Sequence, residues 1–178
     1  MRVTVAQDSQ ARRGLADSER FDLHDDPRSI GRIEPARQHP SLRGLLLNLN
    51  DDESPFSTLA CKVWSATEGA GAEPAEFASR IDLVASQGAQ ELHEAQYHDL
   101  ARLLAELLER EPGDALRVEL QILPAELTGG RQGFCLRVLL FSRAPAKEQA
   151  QLRWSLGLAR VQQALLFLAR VIRQGRLA

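Results

Sequence analysis

Toward the carboxyl end, apolar residues Leu158, Val161, Leu165, Leu168 and Ile172 recur at steps of three and four, the period of one face of an α-helix. Pro145 suits the first turn of that helix, and the pattern runs to about Gln174. Such a helix is about 42 Å long at about 1.5 Å per residue. Leu152, Leu156 and Phe167, with Trp154, widen its apolar surface beyond one stripe. Upstream, Leu116, Val118, Leu120 and Ile122 alternate with Arg117, Glu119 and Gln121, the two-residue period of a strand. Pro124 stops it. After the loop signal Thr128–Gly133, residues 134–141 form a second strand that is apolar on both faces, as expected of a strand covered on both sides.

The middle of the chain is helical in character. Leu92, Gln96, Leu100, Leu103 and Leu107 share a helix face, Leu104 and Leu108 widen it, and Pro112-Gly113 ends it. Gly88 divides this helix from a shorter one expected over residues 75–87. Leu59, Cys61 and Val63 alternate with Ala60, Lys62 and Trp64 as a strand does. Residues 42–49, with Leu45-Leu46-Leu47, fit a buried strand or a helical turn. The expectation is a hairpin of 42–49 with 56–64 across the turn-rich Asn50–Pro55, followed by a small-residue connector over 65–74.

Residues 1–40 carry charge of both signs, Pro27, Pro35 and Pro40, and little apolar surface. A stretch of that kind does not bury enough to offset the entropy of ordering. The expected organisation is therefore a disordered segment 1–40, with at most a transient helix near 9–20, and a single α+β domain over 41–178. In that domain a small antiparallel sheet of two hairpins packs with a central helix and a long C-terminal helix.

Charge and composition narrow the function. The 178 residues carry a formal charge of −2, which gives no overall pull toward nucleic acid or an anionic membrane. Cys61 and Cys135 sit in apolar surroundings without metal spacing. The N-terminus lacks the apolar core of a signal peptide, and the longest apolar run, Ala164–Ala169, is too short to span a bilayer. The expected location is the cytoplasm, with export by an uncleaved N-terminal signal as the exception.

The search for chemistry yields little. His93 and His98 lie five apart on the central helix, roughly 140° apart around its axis, which is wrong for two ligands of one ion. Glu94 and His98 are close enough for a surface pair. His24 and His39 fall in the polar N-terminal stretch, and Asp51-Asp52-Glu53 lacks the spacing of a calcium loop. There is no nucleophile-elbow motif and no phosphate loop. Hence no catalytic, cofactor-binding or metal residue is expected, although a site assembled from distant residues stays open. What stands out is the terminal helix. Residues 165–172 present two apolar sides, one for the chain's own sheet and one for a second protein, either another copy or a partner. Leu165, Phe167, Leu168 and Ile172 are the expected partner-binding residues.

Residues 116–166 carry a resemblance. A strand ending in Leu123-Pro124-Ala125-Glu126-Leu127, a glycine turn, a second strand Leu136–Ser142 and a helix opening with charged residues resemble the C-terminal domain of type III secretion needle-length and substrate-specificity regulators, which are similar to flagellar hook-length control proteins. The resemblance implies a non-enzymatic cytoplasmic regulator that binds the export gate and switches which substrates leave, acting through the 116–142 sheet and the helix after it. This chain has no Gly directly after Leu127 and is short for a molecular ruler, which speaks against length measurement. Two alternatives stand beside it. One is a type III secretion chaperone, whose strands are similarly ordered around a dimer helix. The other is an enzyme of unrecognised class.

Overall fold

The structure, a computed structural model, describes residues 1–6, 23, 26–66, 74–87, 90–109, 116–127 and 130–175. Its elements are β1 (Arg2–Ala6), a 3-10 turn (Pro27–Arg32), α1 (Glu34–Gln38), α2 (Pro40–Leu49), β2 (Phe56–Ala66), β3 (Ala75–Gln87), β4 (Gln90–Glu91), α3 (Glu94–Glu109), β5 (Leu116–Glu126), β6 (Gln132–Ala144) and α4 (Lys147–Arg173). The strands make one mixed sheet in the order β1-β5-β6-β3-β2, with β4 paired to β3. Two hairpins, β2–β3 and β5–β6, are antiparallel and join through β3–β6, whereas β1 lies parallel to β5. The α+β architecture, the β5–β6 hairpin, the central helix and the long closing helix match the sequence reading, whereas the sheet is mixed rather than wholly antiparallel because β1 joins it parallel to β5.

One hairpin is built from different segments than expected. Residues 40–49 are the helix α2, and the partner of β2 is residues 75–87, a strand where a short helix was expected. The cause is burial. Leu42, Leu45, Leu46 and Leu49 recur at helical spacing and are all buried. In β3, Phe77, Ser79, Ile81, Leu83 and Ala85 turn to one face and Ala78, Arg80, Asp82 and Val84 to the other, and all nine are buried. A strand flanked by strands and covered on both faces loses the polar alternation that would mark it.

The expectation of disorder over 1–40 also changes where the structure describes that stretch. β1 pairs Val3 with Val118 and Val5 with Leu120. Leu23, Ile30, Ile33 and Ala36 are buried in the main core. Few apolar residues suffice because each docks on a preformed surface rather than building a core of its own. The transient helix near 9–20 lies outside the described residues.

All the helices lie on one face of the sheet. Leu116, Val118 and Leu120 of β5, Leu136, Val138 and Leu140 of β6, and Phe77, Ile81 and Leu83 of β3 share one core with α2, α3 and α4. Trp154 anchors α4 onto β3: its Nε1 donates to Ser79 Oγ at 2.9 Å, and its ring meets Phe77 at 4.9 Å and His39 at 5.2 Å between centroids. One turn on, Gly157 lets the helix come down on the sheet, since a Cβ there would stand 3.1–3.2 Å from methyl groups of Leu140 and Leu116. Asn50 ties the end of α2 to β2, its Oδ1 accepting from Thr58 N at 2.8 Å and its Nδ2 donating to Leu46 O and Thr58 Oγ1. Among the described residues α4 alone has the length and apolar composition to cross a membrane, and ten of its residues, from Ala150 to Ile172, are buried inside this molecule.

Candidate functional site

With the helices on one side, the other face of the sheet is left to side chains that lie across the strands in rows. Registers fix those rows. Arg117 of β5 stands opposite Phe141 of β6, Phe141 opposite Ala78 of β3, and Ala78 opposite Trp64 of β2. Because Ala78 is small, the rings on either side reach across it: Phe141 and Trp64 meet edge to face, centroids 6.1 Å apart. The Arg117 guanidinium lies 4.2 Å from the Phe141 centroid, a cation–π contact, and pairs with Glu119 at 2.8 Å. Phe141, Trp64 and Leu139 are only partly covered, so the strands present an aromatic and aliphatic strip to solvent.

The row beneath holds the sheet rigid. Asp82, fully buried, accepts from Arg137 Nε on Oδ1 at 2.7 Å and from Nη2 on Oδ2 at 3.0 Å, a two-pronged pair, while Arg80 Nε stands 3.5 Å from the same Oδ2. The Asp82 and Arg137 charges are tolerated at this depth because they are paired and hydrogen-bonded to each other. Further along, Val84, Leu123, Ala125, Leu127 and Cys135 with Leu59 close that end of the face as a small apolar cluster. Around the buried Asp82, Arg80 and Arg137, the charged residues that β1, β2, β3, β5 and β6 leave accessible on this face are Arg2, Lys62, Arg117 and Arg143 against Glu76 and Glu119. Four against two leaves the rim net positive.

The outer side of α4 is a second exposed apolar surface. Leu152 is 64% exposed, Leu156 57%, Phe167 53% and Leu166 36%. The four expected partner-binding residues divide here. Leu165, Leu168 and Ile172 are buried in the chain's own core, and only Phe167 points out. At 100° per residue Leu158, Val161, Leu165, Leu168 and Ile172 share the side of Trp154, whereas Phe167 falls 200° from Leu165. The surface available to another protein is therefore Leu152, Leu156, Leu166 and Phe167. The first two were already visible as an apolar excess in the sequence.

The remaining titratable groups are dispersed. His93 is exposed and its Nδ1 contacts Gln96 Oε1, while His98 is half-buried on α3. Cys61 and Cys135 are both buried thiols, and burial pushes Cys61 up to about 12. Tyr97, on α3, accepts from Ala85 N at 2.8 Å, and desolvation raises its phenol well above its ordinary value. A cleft of about 370 Å³ lies between α1, the outer end of β2 and the start of α4, lined by Glu34, His39, Trp64 and Lys147 among others. Burial lowers the pKa of His39 there. Among the described residues no three His, Cys, Asp or Glu side chains are placed to hold a metal ion. No family model, curated protein or solved structure matches this chain.

Proposed function

We propose that this chain is a non-enzymatic protein-binding regulator, and that its partner docks on the face of the sheet opposite the helices. The observation that carries the reading is the partly exposed row Arg117–Phe141–Trp64, seated on strands that the Asp82–Arg137 pair ties together. Aromatic and Arg side chains on a rigid base are the residue types that concentrate binding energy at protein interfaces. The net positive rim suits a partner segment that is acidic around one or two apolar anchors. The resemblance of residues 116–166 gives such a module a place, as a switch of substrate order in type III secretion, where the same 116–142 strands are the expected contact surface.

A secretion chaperone is the second reading. The order helix, hairpin, helix, hairpin, closing helix favours it, and its partner would be one exported protein rather than the export machinery. The discriminating experiment is capture from the native cell with the wild-type chain and with Trp64→Glu and Phe141→Glu, each checked for folding by circular dichroism. An export-apparatus component captured by wild type and lost with both variants supports the regulator. One secreted protein lost in the same way supports the chaperone. Undiminished capture by both variants removes the sheet face as the contact surface. Retention of small metabolites alone turns the assignment toward an enzyme.

A further inference from the structure

We infer that the outer face of α4 is a self-pairing surface, on which two copies of this chain lie antiparallel across a two-fold axis at Ala159. This goes beyond the partner-binding reading and uses a different face of the molecule. Leu152, Leu156, Leu166 and Phe167 are too exposed to belong to the chain's own core. What identifies the occupant is the symmetry of their setting. Counting outward from exposed Ala159, both positions seven residues away are leucine, Leu152 and Leu166, and the positions eleven away are Glu148 and Arg170, both exposed. Steps of seven and eleven return to nearly the same side of a helix. In an antiparallel pair centred on Ala159, Leu152 therefore meets the second copy's Leu166, and Glu148 meets its Arg170, twice over by symmetry.

Each part of the pattern has a physical role. Ala159 at the crossing point lets the two helix axes approach closely. The leucines on either side supply apolar burial. The end charges are opposite in sign only in the antiparallel arrangement; a parallel pair would place Glu148 beside Glu148 and Arg170 beside Arg170. Among the described residues neither Glu148 nor Arg170 has an ion-pair partner within its own chain. The four large apolar side chains expose on the order of 400 Å² per copy. Full coverage of these residues in the pair would remove up to about 800 Å², and flanking side chains such as Gln151 and Gln162, which lie opposite Phe167 and Leu156, carry it toward the lower bound of about 1,200 Å² for specific interfaces. That size fits a reversible dimer with a dissociation constant on the order of 10–100 µM.

Sedimentation equilibrium of the full chain from about 5 µM to about 1 mM tests this. Wild type should dimerise over that range, and Leu152→Glu, with an unchanged circular dichroism spectrum, should weaken the dimer at least about tenfold. The register is tested by charge reversal. Glu148→Arg and Arg170→Glu each create like-charge contacts and should each dimerise several-fold more weakly than wild type at low salt. Mixed in equal amounts, the two single variants should pair with each other in preference to themselves, because each then presents what the other lacks. The double reversal should recover wild-type association. A wild-type monomer at about 1 mM overturns the inference. So does a dimer indifferent to Leu152→Glu, or a mixture of the two variants that shows no preference for the mixed pair.

Discussion

Replacing Asp82 with Ala removes one carboxylate and leaves Arg137, 6% exposed at its side chain, without the two-pronged acceptor at 2.7 and 3.0 Å, and Arg80 without the oxygen at 3.5 Å. Neither guanidinium can shed its charge, so the loss is that of an uncompensated buried cation, about 3–5 kcal/mol. A domain of this size has about 5–15 kcal/mol in total, and at about 2–4 °C per kcal/mol the midpoint should fall by roughly 6–20 °C. Asp82 and Arg137 are 55 residues apart and lie on cross-strand partners of β3 and β6, so the damage should spread through the sheet. The assay is chemical unfolding followed by circular dichroism, run as a double-mutant cycle. Asp82→Leu with Arg137→Leu removes the two-pronged pair and fills the space, and should be more stable than Asp82→Ala, because one buried guanidinium, Arg80, rather than two is then left without the carboxylate. A loss below about 1 kcal/mol for Asp82→Ala would show that the arginines reach water. A double variant no better than the sum of its singles would show that the pair is not the unit that matters.

Three further outcomes follow from the core. His39 is packed edge-on against Phe77 and Trp154, and burial lowers its pKa below the usual 6.5; its contribution to stability is complete above about pH 6.5 and is lost as pH falls below it, so between pH 7.5 and 5.5 the wild-type melting temperature should fall further than that of His39→Phe. The Cys61 thiol, pushed up to about 12 by burial, and the fully buried Cys135 should both resist iodoacetamide at pH 8 in the native protein and react once denaturant is added. Gly157→Ala should be nearly neutral, its helix-propensity gain of about 1 kcal/mol set against methyl groups 3.1–3.2 Å away, whereas Gly157→Val should cost about 1–3 kcal/mol by overpacking, as read from unfolding midpoints.

Where local period and burial agree, the amino-acid sequence is a sufficient guide. β5 alternates because one face packs on helices and the other meets solvent. The unbroken step from Leu158 to Ile172 describes the inner side of α4, and Leu152, Leu156 and Phe167 already mark an apolar excess outside it. Tertiary structure decided the rest. β3 carries no alternation because it is buried on both faces, so its identity as a strand depends on β2 and β6 beside it. β1 depends on β5, more than a hundred residues away, with Val3 against Val118, and no local pattern encodes a partner at that distance. The direction of each α4 side chain is set by helical phase relative to Trp154 and Gly157, the two residues that seat the helix on the sheet. That seating turned Leu165, Leu168 and Ile172 inward and left Phe167 outside. The row from Arg117 to Trp64 exists only as register, since its four residues come from four strands and acquire a common chemistry when hydrogen bonding aligns them.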